Sequence, residues 1–157
     1  MVDKVKQGKR NQINGRDFEN RVRKDLESKG WIINRWNNNV ELESIAESVR
    51  KQIELTGSGW LNGRVGKLIP AKQGYYRKTS TGFPDFIAYK ISRYEKNSYQ
   101  ILGIECKTNG YLDKTEREKC EWLLKNKIFN EIVIAKKIKE KNRIKIDYIS
   151  LWEQQDL

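Results

Sequence analysis

The segment Tyr99 to Lys107, YQILGIECK, constrains the fold more than any other stretch. In an extended chain Ile101 and Gly103 point to one side and Leu102 and Ile104 to the other, so the run is apolar on both faces. That pattern belongs to a strand at the centre of a sheet, with a layer packed above and below it. Amphipathic helices are available to build those layers. Phe18, Val22 and Leu26 recur every four residues after Asn14-Gly15 and stop at Gly30, which predicts a helix from about Arg16 to Lys29. Leu42, Ile45, Ala46, Val49 and Ile53 fall on one helical stripe, with Glu41, Glu43, Glu47 and Glu54 mostly off it, and predict a second helix. A third follows the Asn109-Gly110 turn. Asp113 or Thr115 can cap it, with Glu116 or Glu118 three residues on as the box partner, and Cys120, Leu123, Leu124 and Ile128 face inward.

Further strands are expected at Trp31–Trp36, broken by Asn37-Asn38-Asn39, and at Asp85–Tyr89. Two more, Glu131–Ala135 and Ile144–Ile149, are joined by a basic turn from Lys136 to Arg143. Residues 1–13 read as a mobile basic arm. Gly57 to Thr81 has no strong period and reads as a long loop or irregular hairpin, and loops of that length are usually functional or disordered. The resulting order, α-β-α-loop-β-β-α-β-β, is α/β: a central mixed β-sheet flanked by helices in a single domain spanning 1–157.

Charge narrows the partners. The 157 residues include 32 basic and 21 acidic ones, a formal net charge of +11. An excess of that size favours a polyanion. The loop from Gly57 to Thr81 carries Arg64, Lys67, Lys72, Arg77 and Lys78 and no acid. Its aromatics Trp60, Tyr75 and Tyr76 either stack on bases or pack within the loop. The run Lys136 to Lys145 reads as a solvated turn or as a second phosphate contact. Histidine is absent, which excludes Ser-His-Asp and Cys-His catalysis and every His-ligated metal site. Cys106 and Cys120 make neither a disulfide framework nor a zinc site and read as buried small hydrophobes. No signal peptide or membrane-length apolar run is visible, so a cytoplasmic protein with no membrane partner is expected.

The chemistry concentrates in Pro84-Asp85 and Glu105-Cys106-Lys107. Glu105 and Lys107 share one face of the central strand, while Cys106 takes the other. An acid and a lysine ending an apolar strand are costly unless wet or paired. Asp85 opens the neighbouring strand, from where it can come close to Glu105. Two adjacent carboxylates repel, and a divalent cation relieves that repulsion; carboxylates, a backbone carbonyl and water are the oxygen shell Mg²⁺ prefers. Lys107 then stands where it can orient water or offset charge on a phosphate. The bland alternative is a structural salt bridge at the end of a sheet.

Pro84-Asp85, nineteen intervening residues, then Glu105-Cys106-Lys107 resembles the signature of the PD-(D/E)xK nuclease superfamily, and within it the archaeal and viral Holliday junction resolvases are most similar. Glu19 within Gly15-Arg16-Asp17-Phe18-Glu19, the glycine-led Gly82-Phe83-Pro84-Asp85-Phe86-Ile87, and Thr108-Asn109-Gly110-Tyr111-Leu112 before a basic helix extend the likeness. It covers about residues 14–36 and 79–150. Residues 37–78 depart from it as an insertion holding a helix and a basic loop. The resemblance implies a restriction-endonuclease-like core and Mg²⁺ (or Mn²⁺) held by Asp85, Glu105 and the Cys106 carbonyl. Glu19 would hold a water on the metal or a second ion, and Lys107 would position the attacking hydroxide.

The expected activity is metal-dependent DNA endonucleolysis, with branched DNA as substrate and Arg16, Arg64, Lys67, Lys72, Arg77 and Lys78 as nucleic-acid contacts. Resemblance to the resolvases further implies a homodimer, to which Ile144–Ile149, Leu151 and Trp152 could contribute a patch, and an archaeal or viral-type, nucleoid-associated setting. A restriction-like or flap and repair nuclease is the alternative within the enzyme class. A non-catalytic DNA-binding accessory protein also accounts for the charge, but it leaves Asp85, Glu105 and Lys107 unexplained.

Overall fold

In the computed structural model the described residues are 4–58, 63–71, 82–93, 95–141 and 143–151. The elements run α1 (Lys4–Ser28), β1 (Ile32–Arg35), β2 (Asn38–Leu42), α2 (Ile45–Thr56), β3 (Gly66–Pro70), β4 (Phe86–Ile91), β5 (Tyr99–Lys107), α3 (Lys114–Lys125), β6 (Glu131–Glu140) and β7 (Arg143–Ser150). The main sheet has the order β1-β4-β5-β6-β7. Among the described residues, β5 with β6 is its one parallel pair, and α3 makes the crossover between them. The central strand predicted at Tyr99–Lys107 is β5, residue for residue.

Each face of the sheet carries its own core. Phe18, Val22 and Leu26 of α1 pack on Phe86, Ala88, Leu102, Ile104, Val133 and Ala135. Cys120 and Leu123 of α3 pack on Ile132, Ile134, Phe129 and Leu151 on the other face. The alternation of β5 and β6 between these clusters follows from the period of two along a strand. Asp113 caps α3 in a complete capping box with Glu116, choosing between the two caps that the sequence left open. No helix among the described residues is long and apolar enough to cross a membrane.

Several expectations are corrected. Residues 4–13 are not an arm; they form the first half of α1, which runs through Asn14-Gly15. Lys, Gln and Arg favour helix, and the interior glycines Gly8 and Gly15 cost about 1 kcal/mol each without breaking it. Asn38 and Asn39 do not end a strand. They begin β2, which pairs antiparallel with β3 inside the stretch expected to be a loop, and Leu42 closes β2 rather than starting a helix.

The stripe on α2 is largely exposed, with Ile45 and Ile53 about half accessible. Ser48 is the buried residue instead, because its hydroxyl accepts the Val65 amide at 3.1 Å and brings the helix against that segment. The presumed turn from Lys136 is mostly strand, since β6 continues to Glu140. Leu151 is 1 % exposed and belongs to the core, so it is not available to a dimer patch. Trp60, Lys72, Tyr75, Tyr76, Arg77, Lys78 and Trp152 lie outside the described residues.

The β2–α2–β3 unit sits on the α3 face. Val40 joins the core there, Lys119 Nζ donates to Asn39 Oδ1 at 2.9 Å, and Arg64 Nη1 donates to Glu118 Oε2 at 2.7 Å. The return of the chain to β4 is threaded closely past β1 and β2. Phe83 N donates to the Asn38 carbonyl at 2.9 Å and Trp36 N to the Asp85 carbonyl at 3.1 Å. A Cβ on Gly82 would fall 1.7 Å from the Trp36 carbonyl oxygen, so only glycine fits. This threading sets where Asp85 enters the sheet.

Candidate metal and catalytic site

The β4–β5 ladder pairs Phe86 with Ile104. One residue further on, Asp85 stands opposite Glu105, and their backbones and side chains interlock. Asp85 N donates to Glu105 Oε2 at 3.2 Å, and Cys106 N donates to Asp85 Oδ2 at 2.9 Å. Each carboxylate thus accepts an amide from the opposite strand, and both are held at one end of the sheet. Glu105 is only 6 % exposed, one of two buried polar residues among those described.

Lys107, two residues along the same face, lies with Nζ 3.3 Å from Glu105 Oε1 and donates to Glu116 Oε1 as well. Glu116 uses its other oxygen, Oε2, to accept the Asp113 amide at 3.0 Å, the return bond of the α3 capping box. One residue therefore fixes the N-terminus of α3 and the ammonium of Lys107 together. Glu19 approaches from α1 and is joined to Arg35 Nη2 at 2.6 Å. Arg35 in turn lies over the Phe86 ring, 5.3 Å from its centroid.

The electrostatics follow from burial. Burial pushes the Asp85 carboxyl up to about 6; the Glu19 charge pushes the same way, while the Cys106 amide, Lys107 and Arg35 oppose it. Burial and then the charge of Asp85 hold Glu105 well above the ordinary carboxylate value, with Lys107 pulling down. Burial works against the Lys107 charge, but Glu116 and Glu105 outweigh it and raise the ammonium above its ordinary value. Burial raises the Cys106 thiol, so that side chain stays neutral; it packs with the α1-side core. Only main-chain atoms of Cys106 remain to serve an ion, and its amide is already given to Asp85.

The structure brings together Asp85, Glu105 and Lys107 and sets Glu19 close enough to act on Asp85 through its charge. It does not present a finished cage. Among the described residues no group of three or more acidic or cysteine side chains is arranged to hold a metal ion. The donor set nevertheless suits a hard divalent cation: two adjacent carboxylates, one buried and one partly buried, both reluctant to ionise, are what such an ion would stabilise as anions.

Arg64 is committed elsewhere, since its guanidinium also donates to the Glu43 carbonyl. Lys67 is paired with Glu41 at 3.0 Å, and Arg16 is exposed on α1. The sequence reading missed Arg35 and the second role of Glu116. The capping-box spacing revealed Glu116 but not its reach to Lys107, which depends on α3 starting beside the end of β5.

No protein-family model matches this chain, and no curated protein or solved structure matches it.

Proposed function

We propose that this protein is a divalent-metal-dependent endonuclease that hydrolyses phosphodiester bonds in DNA, with branched DNA as its preferred substrate and a twofold dimer bringing two sites to one junction. The observation that carries the reading is the interlocked pair Asp85–Glu105 with Lys107 on the same strand face. A structural salt bridge would need one acid for one base. Here a buried acid, Glu105, opposes a partly buried one, Asp85, and a cation bound by both would relieve their repulsion. Without β2, α2 and β3 the order becomes α1-β1-β4-β5-α3-β6-β7, which supports a restriction-endonuclease-like core, as does the motif resemblance.

Asp85 and Glu105 would hold Mg²⁺ or Mn²⁺, with Glu19 able to join after exchanging Arg35 for the ion or its water. Held there, such an ion would supply positive charge to offset the charge building on the phosphate. Lys107 holds the attacking water in line through its ammonium and offsets charge that builds on the phosphate. Glu105 and Glu116 fix where that ammonium sits. Arg35, stacked on Phe86, keeps Glu19 oriented beside the pair. Water adds across the phosphodiester: one P–O bond forms to the water oxygen and the bond to the leaving sugar oxygen breaks. The water proton passes to the leaving group or to solvent.

A cleavage panel tests this. Four-way junctions, flaps, single strands and plain duplex are incubated with wild-type protein and Mg²⁺ or Mn²⁺. Cutting of junctions at paired positions on opposing strands is expected, from a protein that sediments as a dimer. A monomer that cuts junction and linear duplex equally would point to the flap or restriction-like alternative. No cutting of any substrate with either ion would reject the enzyme reading.

A further inference from the structure

A cluster of basic residues lies on the far ends of β6 and β7. Lys107 is the last residue of β5, and its partner on β6 is Lys136. β6 continues to Glu140 with only β7 beside it. About 13 Å of two-stranded ribbon therefore projects past the end of β5, the end that carries Glu105 and Lys107.

The ribbon is basic on its α1 side and mixed on the other, where Lys136, Arg143 and Lys145 lie with Glu140 and Asp147. Cross-strand pairs share a face, so Lys137 with Ile146 and Lys139 with Ile144 point to the α1 side. Ile138 with Lys145 and Glu140 with Arg143 point to the α3 side. Lys141 stands at the turn. Lys137, Lys139, Lys141 and Arg143 are all exposed, and none makes an ion pair among the described residues; Lys145 alone is paired, with Glu140. Past Lys136 the β5 side of β6 has no strand beside it among the described residues, so Lys137 and Lys139 also guard an open edge against pairing with another chain.

The root of the ribbon is braced. Ile146 and Tyr148 pack on the α1-side core, and the Tyr148 hydroxyl donates to Asp25 Oδ2 at 2.7 Å. Lys137 and Ile144 border a hollow of about 190 Å³ whose other wall is Asn14, Asp17, Phe18 and Arg21 of α1. The β2–α2–β3 unit differs, since its Arg64 and Lys67 are already paired.

We propose that the β6–β7 hairpin is a β-ribbon that enters the major groove of duplex DNA and grips phosphates on both sides of it, next to the bond that is cut; the last clause alone rests on the nuclease reading. The major groove of B-form DNA is about 12 Å wide and admits a two-stranded ribbon. Cations on both faces can reach the two phosphate walls, which position the protein without reading sequence.

Binding is measured by fluorescence anisotropy on a labelled duplex in EDTA, so that cleavage does not enter. Each phosphate contact contributes about 0.9 to the fall of log K with log salt. Combined Lys137→Gln, Lys139→Gln, Lys141→Gln and Arg143→Gln should flatten the slope by about 3.6, and each single change by about 0.9, which keeps the test open if the combined variant folds poorly. Arg93→Gln with Lys96→Gln, at the other end of the sheet, should leave the slope unchanged. Wild-type protein should shield guanine N7 from methylation, and the combined variant should lose that shielding.

An unchanged slope, unshielded N7, no duplex binding at low salt, or equal affinity for duplex RNA, whose major groove is too narrow for a ribbon, would each overturn the placement. Shielding by wild-type protein that never cuts DNA with Mg²⁺ or Mn²⁺ would leave the ribbon standing and reject only the nuclease reading.

Discussion

Lys107, the last residue of β5, donates its ammonium proton to Glu116 in the first turn of α3, so the end of the central strand and the start of the crossover helix share one charge pair. Glu116→Gln separates its two roles, because glutamine also completes a capping box. Stability should fall by less than about 1 kcal/mol, while DNA cleavage falls by at least about tenfold as Lys107 loses its anchor. Thermal melts and single-turnover rates measure the two effects. Equal losses in both, or none in the rate, would make Glu116 a cap and nothing more.

Asp85→Asn and Glu105→Gln should abolish Mg²⁺-dependent cleavage without unfolding the protein. Both keep an oxygen that can accept the cross-strand amide. In wild-type protein Mg²⁺ should raise the melting temperature as a ligand that binds only the folded state, and either substitution should remove that rise. A folded variant that retains wild-type cleavage would contradict the assignment.

The raised carboxyls make a pH prediction for the metal-free protein. A carboxyl whose folded value lies above its unfolded one binds its proton more tightly in the folded state, so stability falls as pH rises. For Asp85 the stabilising contribution is complete below the unfolded value of 3.8 and is lost as pH passes about 6. That difference corresponds to about 3 kcal/mol. Glu105 works in the same direction. In EDTA, Asp85→Asn should flatten the decline of stability with pH and be the more stable protein near neutrality. Chemical denaturation across that range checks it; a wild-type and variant pair with parallel profiles would contradict it.

Arg64→Ala should destabilise by about 2 kcal/mol, since it leaves Glu118 and the Glu43 carbonyl without their charged donor. Lysine should not restore the loss, because a single ammonium cannot reproduce the fork that reaches both acceptors. Urea titrations of the two variants decide this.

Gly82→Ala should cost several kcal/mol, because the added carbon meets main chain rather than a movable side chain. It should also impair cleavage by displacing Asp85, three residues on. A melting temperature within a degree or so of wild type would show that the β1–β2 passage yields more easily than its geometry implies.

Local pattern determined β5, the helical face of Phe18, Val22 and Leu26, and a cap at Asp113 or Thr115, and it put Asp85 at the start of a strand next to β5. Each of these depends on a period of two or of four, or on neighbours within three residues, and the strand end of Asp85 needed only its adjacency to β5. Tertiary structure alone decided the rest. Asn38 and Asn39 became strand because β3 offered a partner, and the stripe of α2 stayed exposed because Ser48 found the Val65 amide. Arg64 became a tie within the fold, and Glu116 came to hold Lys107. These outcomes depend on which distant backbone or charge arrives within hydrogen-bonding reach, and spacing along the chain carries no trace of that.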